Sequence, residues 1–177
     1  GNGDGIYENL NPLAISIYPN PSAGMIYFEA EDADNFGEPL FAPLVVESSI
    51  PDAQPADAPA YLTWNTGSFW FTNVTPEDDD TPQAHYAFTL AEGASTVAVY
   101  ARVHFPDAGA NSLFIRVTPA ESAWRQIAAL PSGSWQWVNI ARIPSPPAGD
   151  YTIEILGREN GIAIDELYIS SEGTSPQ

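Results

Sequence analysis

The sequence has no cysteine and no lysine, a single methionine and only two histidines. Without cysteine, neither a disulfide scaffold nor a thiolate zinc site can form. Without lysine, the five positive side chains are all arginines, set against 23 aspartates and glutamates for a net charge of −18. A field of that sign repels phosphate backbones and anionic bilayers, so neither nucleic acid nor a membrane surface is expected as a partner. It suits a chain that binds cations. No apolar run approaches the roughly 18 residues of a membrane span. The chain opens on Gly1 with no charged-then-apolar leader, so a secretion signal is expected to have been removed or to lie in a larger parent.

What is present points to strands. The 177 residues, 44% of them hydrophobic, suffice for one packed domain, and 17 prolines with 13 glycines argue against long helices. Residues 1–24 are rich in Gly, Asn and Pro and read as a linker or tail. Their opening Gly-Asn-Gly-Asp-Gly-Ile has the spacing of a calcium loop without its further acids. From Met25 to about position 171 the pattern is short runs at period two, separated by Gly, Pro, Asp and Ser. Such runs occupy Met25–Glu31, Leu44–Ser48, Ala60–Trp64, Phe69–Asn73, His85–Leu90, Thr96–Val103, Ser112–Thr118, Arg125–Leu130, Trp135–Arg142, Tyr151–Leu156 and Ile162–Ser170. Residues 172–177 read as a second tail. Many short strands with turns at this spacing predict an all-β, antiparallel β-sandwich of jelly-roll type. The run Glu77-Asp78-Asp79-Asp80 between two prolines reads as a solvated loop, with a second cation site as its rival.

Enzyme signatures are sparse. Two residues along a strand span about 6.6 Å, close to the carboxylate spacing of inverting glycosidases, and Glu29 and Glu31 have that separation. They project side by side from one backbone, however, and cannot flank a bond. There is no Gly-x-Ser-x-Gly elbow, no phosphate loop, and His85 and His104 form no His-x-x-x-His pair. No catalysis is expected.

Glu29 and Glu31 share one face of the first strand, where like charges repel. A hard cation would relieve that repulsion, and calcium accepts six to eight oxygens from carboxylates and carbonyls. A third acid, Asp165, interrupts the apolar run Ile162–Ile169 near the other end of the chain. If the first and last strands pair, Glu29, Glu31 and Asp165 can meet. The competing reading makes them edge-strand charges that discourage aggregation.

Five short motifs occur in order: Phe28-Glu-Ala-Glu31; Tyr100-Ala-Arg-Val103 followed by Asn111-Ser-Leu-Phe-Ile-Arg-Val117; Trp135-Gln-Trp-Val138; Gly149-Asp-Tyr-Thr-Ile153; and Arg158-Glu-Asn-Gly-Ile162 leading to Asp165-Glu-Leu-Tyr-Ile169. Together they resemble the carbohydrate-binding modules of families 6 and 35, over nearly the whole span from Met25 to Ser170. The stretch from Gly37 to Pro59 and the acidic loop depart from that pattern. The resemblance implies a calcium-stabilised jelly roll, without catalysis, appended in cis to a secreted polysaccharide-degrading enzyme of bacterial, extracellular setting. It also implies Ca²⁺ as the cofactor, with Glu29, Glu31 and Asp165 as its ligands. A monomer is expected. The reading kept beside it is a calcium-dependent structural or adhesive domain that binds a protein or cell surface.

A sugar site needs aromatic faces for the C–H side of a pyranose and a few polar groups for its hydroxyls. Trp124 stands at a loop-to-strand junction and is the leading stacking residue, with Trp64 and Tyr61 as second choices. Trp135 and Trp137 share a strand face, so at least one is expected in the core. Asn160, just before the last strand, holds the position of a family sugar contact, and Asn111 begins the turn into another strand. Arg116 and Arg125 are the candidates to read an acidic group, if the glycan has one.

Overall fold

The computed structural model describes residues 24–30, 33, 44–47, 61–64, 84–128, 130–159 and 161–176. The expected strand at Phe69–Asn73 and the acidic run at Glu77–Asp80 lie outside them, as do residues 1–23. Among the described residues ten strands are present: β1 (Met25–Glu29), β2 (Leu44–Glu47), β3 (Tyr61–Trp64), β4 (Ala84–Leu90), β5 (Thr96–His104), β6 (Leu113–Thr118), β7 (Arg125–Ile127), β8 (Gln136–Pro144), β9 (Gly149–Gly157) and β10 (Ile162–Ser170). No α-helix occurs among the described residues.

The strands form two antiparallel sheets, and the chain is an all-β sandwich. One sheet has the order β2-β3-β10-β5-β8, with β1 also paired to β10; the other has the order β4-β9-β6-β7. The first and last strands do pair: Met25 faces Ser170 and Glu29 faces Glu166. Strand β10 shares one edge between two partners. Ile162–Ile164 pair with β3 and Glu166–Ser170 with β1, while β5 follows the other edge.

Alternation builds the core. In β5, Val97, Val99, Ala101 and Val103 face inward; in β9, Tyr151, Ile153 and Ile155 do; in β6, Leu113, Ile115 and Val117 do. Each fully buried aliphatic or aromatic side chain removes enough apolar area from water to contribute about 1.5–3 kcal/mol. In β10 the inward set changes phase, from Ile162 and Ile164 to Leu167 and Ile169. The cause is a register shift against β5 between Ile164 and Glu166. A bulge of this kind re-aims one side chain, and here that side chain is Asp165.

Trp64 ties the sheets together. Its side chain is 0% exposed, and it reaches from β3 to the backbone of Gly157 in β9. A Cβ at position 157 would come within 2.5 Å of the Trp64 ring, so only glycine leaves room for the indole. Tyr86 makes a second tie, donating its hydroxyl to the Ala30 carbonyl at 2.8 Å. Beyond β10, the Gly173 carbonyl accepts from Tyr100 at 3.2 Å and from Arg142 at 3.4 Å, which fastens residues after Ser170 to the domain.

Candidate functional site

The registers sort the loops to two ends. Pairings Ala163–His104, Val103–Gln136, Leu113–Gly157 and Leu113–Ile127 place the segments 105–112, 128–135 and 158–161 at one end of the sandwich. Backbone hydrogen bonds fasten these loops to one another and to β3. Gly133 donates to Phe105 at 2.9 Å, Leu130 to Asn111 at 3.3 Å and Gly161 to Trp64 at 2.7 Å. The Asn111 side chain adds an Nδ2 donation to the Leu130 carbonyl at 3.3 Å.

Glu159 organises the polar part of this end. Its carboxylate accepts from the Ser112 backbone N–H at 2.9 Å and from Ser112 Oγ at 2.7 Å. Arg158 Nη1 pairs with the same carboxylate and also donates to Ser112 Oγ at 3.0 Å. Asn160 itself lies outside the described residues, although Glu159 and Gly161, on either side of it, both belong to this end.

Among the described residues, the tryptophan at this end is Trp135. It is half-buried, follows the exposed residues 131–134, and lies against His104 with ring centroids 5.5 Å apart. The Arg102 guanidinium sits 5.6 Å from its ring centroid. Burial lowers the His104 pKa from its ordinary 6.5, so the imidazole is neutral at pH 7. Trp135 and Trp137 are both half-buried, and neither joins the core as the sequence suggested. The reason is parity. Strand β8 gives Val138, Ile140, Ala141 and Ile143 to the interior, and the tryptophans take the opposite face, Trp137 in register with Arg102. The same signal that favours Trp124, an aromatic between a Ser/Pro-containing loop and a strand, also marks Trp135 in Pro-Ser-Gly-Ser-Trp.

Trp124 is placed elsewhere. It packs under Arg116, whose guanidinium carbon is 4.8 Å from the indole centroid, on the outer face of the four-stranded sheet. Arg116 in turn clamps Glu154 with two donors, Nε at 2.6 Å and Nη2 at 2.7 Å. Its hydrogen bond to that carboxylate raises its pKa, against the pull of burial. His85 completes the row, 4.0 Å from Glu154 across β4, β9 and β6. Along β6, Arg116 stands five residues from Asn111, or roughly 17 Å of strand. Trp124 and Asn111 therefore do not share one compact pocket.

Three further site expectations meet specific neighbours. Trp64, with no exposed surface, offers no face to a ligand, and its role as an alternative stacking residue is corrected to core packing against Gly157. Arg125 is engaged by Glu121 at 3.3 Å and by the Ile140 carbonyl at 3.0 Å. The side chain of Tyr61 lies outside the described residues.

Asp165 is fully buried and ion-paired with Arg102, and one carboxylate oxygen each of Glu29 and Asp165 is buried. Glu29 stands opposite Glu166, which on its other side faces Arg102. Carboxylates of β1 and β10 with buried oxygen atoms are the donor type that a hard divalent cation takes. Glu31 lies outside the described residues, and among the described residues no group of three or more His, Asp or Glu side chains converges as a ready metal site.

No protein-family model and no curated relative matches the sequence. Solved structures do match in shape. A carbohydrate-binding module of Cellvibrio mixtus lichenase 5A, in complex with cellotriose, aligns over 83% of this chain and 97% of its own, with TM-score 0.52 and 14% identity. A family 35 carbohydrate-binding module from Clostridium thermocellum aligns over 83% and 98%, with TM-score 0.52 and 13% identity. The Podospora anserina mannanase that joins a GH26 enzyme to a CBM35 module aligns over 87% of this chain, with TM-score 0.55 and 15% identity. This chain spans only 28% of that mannanase's length. These likenesses establish the fold as the β-sandwich of family 6 and family 35 modules.

Proposed function

We propose that this domain binds a polysaccharide without cleaving it and holds a parent extracellular enzyme near its substrate. The observation that carries the reading is the loop end. A half-buried indole packed against a neutral imidazole, and an asparagine side chain bonded to the neighbouring loop, both lie at the end where three mutually fastened loops meet. A pyranose needs this combination, an aromatic face for its C–H side and neutral polar groups for its hydroxyls. Trp135 takes the stacking role, and Asn111, at the same end of the sandwich, offers a polar group; Asn160, expected from the sequence as a sugar contact, belongs to the proposal as well. The fold neighbours support the reading, since one was solved with cellotriose and another is joined to a mannanase. Non-catalysis is supported by Glu154, Glu159 and Asp165, each already held by a guanidinium.

Calcium belongs to the proposal as a structural ion. Glu29 and Asp165, with Glu31, would hold it between the first and last strands. Bound there, it supplies a cross-link that neutralises buried carboxylates.

Affinity electrophoresis and calorimetry against a panel of soluble polysaccharides test the function. At about 25 cal/mol per Å², one stacked ring face contributes on the order of 1–2 kcal/mol, so Trp135→Ala should lose about tenfold in affinity. Normal binding by a folded Trp135→Ala variant would move the site away from this end. Reducing sugar released by the purified domain would contradict the non-catalytic reading.

A further inference from the structure

We infer that the glycan taken at the loop end is neutral, held by stacking and dipolar hydrogen bonds with no part played by an ionic contact. This rests on the polysaccharide-binding reading above and names its ligand class. Recognising a uronate or a sulfate ester takes a cation with donors to spare, most effectively the fork of an arginine. The sequence supplies no lysine and five arginines.

The structure engages those arginines internally. At the loop end, Arg158 is held by Glu159 and Ser112 Oγ, and Arg102 by the buried Asp165. On the outer face of the four-stranded sheet, Arg116 spends two donors on Glu154; from the edge strand β7, Arg125 divides its own between Glu121 and the Ile140 carbonyl of the other sheet. Arg142 bonds only a carbonyl among the contacts described, that of Gly173, at the opposite end of the sandwich.

Among the described residues, the remaining polar groups at the loop end are neutral or negative. Asn111 uses one amide hydrogen on Leu130, which leaves its carbonyl oxygen to accept. His104 presents a buried Nδ1 that has no hydrogen-bond partner among the described residues, beside the Trp135 ring. Asp107 adds an exposed carboxylate in the loop 105–112, turned onto its own backbone by Gly109 N–H at 2.7 Å and Ala110 N–H at 3.1 Å. With Arg158 and Glu159 cancelling, Asp107 leaves this end negative, inside a molecule of net charge −18. An anionic chain would be repelled both locally and by the whole field.

Matched polymers test this in the intact chain: hydroxyethyl cellulose against carboxymethyl cellulose, and laminarin against sulfated laminarin. At least one neutral member should retain the protein, and its anionic mate should bind about tenfold more weakly or not at all. Neutral binding should be flat between about 50 and 500 mM NaCl, because no ionic contact is screened. Glu159→Gln, checked by circular dichroism, releases Arg158 and should raise binding to the anionic mate several-fold. A folded variant without that gain overturns the inference, and the wild-type salt series decides the matter if the variant does not fold. Tighter wild-type binding to an anionic member, weakened by salt, overturns the inference and leaves polysaccharide binding standing. Retention by no polymer of either charge overturns both.

Discussion

Two regions of the molecule pair a tryptophan with a cation, and they differ in what is left over. On the outer face of the four-stranded sheet, Arg116 covers Trp124 and is itself clamped by Glu154. Every strong group in that row answers another. At the loop end, Trp135 has a neutral imidazole against it and Arg102 at its margin, and the arginine's charge is taken by Asp165. A loop-edge aromatic is thus not a binding surface by position alone. What matters is whether its face and its neighbours' donors are already committed within the fold.

The largest test of this contrast uses a tryptophan that belongs to neither region. Trp64 fills the space above Gly157, so Trp64→Ala should cost about 3–5 kcal/mol of stability. For a chain of this size that lowers the melting temperature by on the order of 10 °C or more, as a thermal scan would show. A smaller drop would mean that the interior can collapse around the cavity.

Next in size is calcium. If the ion bridges β1 and β10, free Ca²⁺ at a hundredfold excess over Kd stabilises by about 2.7 kcal/mol. Chelation should lower the melting temperature correspondingly, and Glu29→Gln should blunt that response. An identical midpoint with and without chelator would return Glu29 to the role of an edge charge balanced by the Arg102 cluster.

Trp124→Ala sharpens the comparison directly. Losing the contact with Arg116 should cost about 1 kcal/mol of stability, and polysaccharide affinity should stay unchanged. A tenfold loss of binding would show that the sheet face, not the loop end, carries the sugar.

The smallest effect is a pH dependence. Because burial lowers the His104 pKa below 6.5, the unfolded chain binds the proton first as pH falls. The contribution is fully present above pH 6.5 and is lost as pH drops through the folded value. Melting curves between about pH 7 and pH 5 should therefore decline less steeply for His104→Gln than for wild type. Equal slopes would show that His104 contributes nothing to the pH dependence.

Much of this was legible in the sequence. Alternation in Thr96–Val103 and Tyr151–Leu156 sets which side chains line the interior, because a pleated strand has period two whatever it pairs with. Even the bulge is written there: Ile162 and Ile164 give way to Leu167 and Ile169, a one-residue slip centred on Asp165 and Glu166. Glu29 and Asp165 could be suspected as neighbours from acids placed in apolar strands at opposite ends of the chain. What alternation cannot report is which distant side chain occupies which other. Arg116 and Glu154 lie 38 residues apart and become a clamped pair only because β6 and β9 align in one register. Trp64 disappears into the core because the sheet opposite offers a glycine. Trp135 stays at the surface because β8 turns its other face inward. Local pattern determined the strands and their inward faces. Only the packing of one sheet on another decided which polar and aromatic groups meet one another and which reach the surface, since that depends on contacts between residues far apart in the chain.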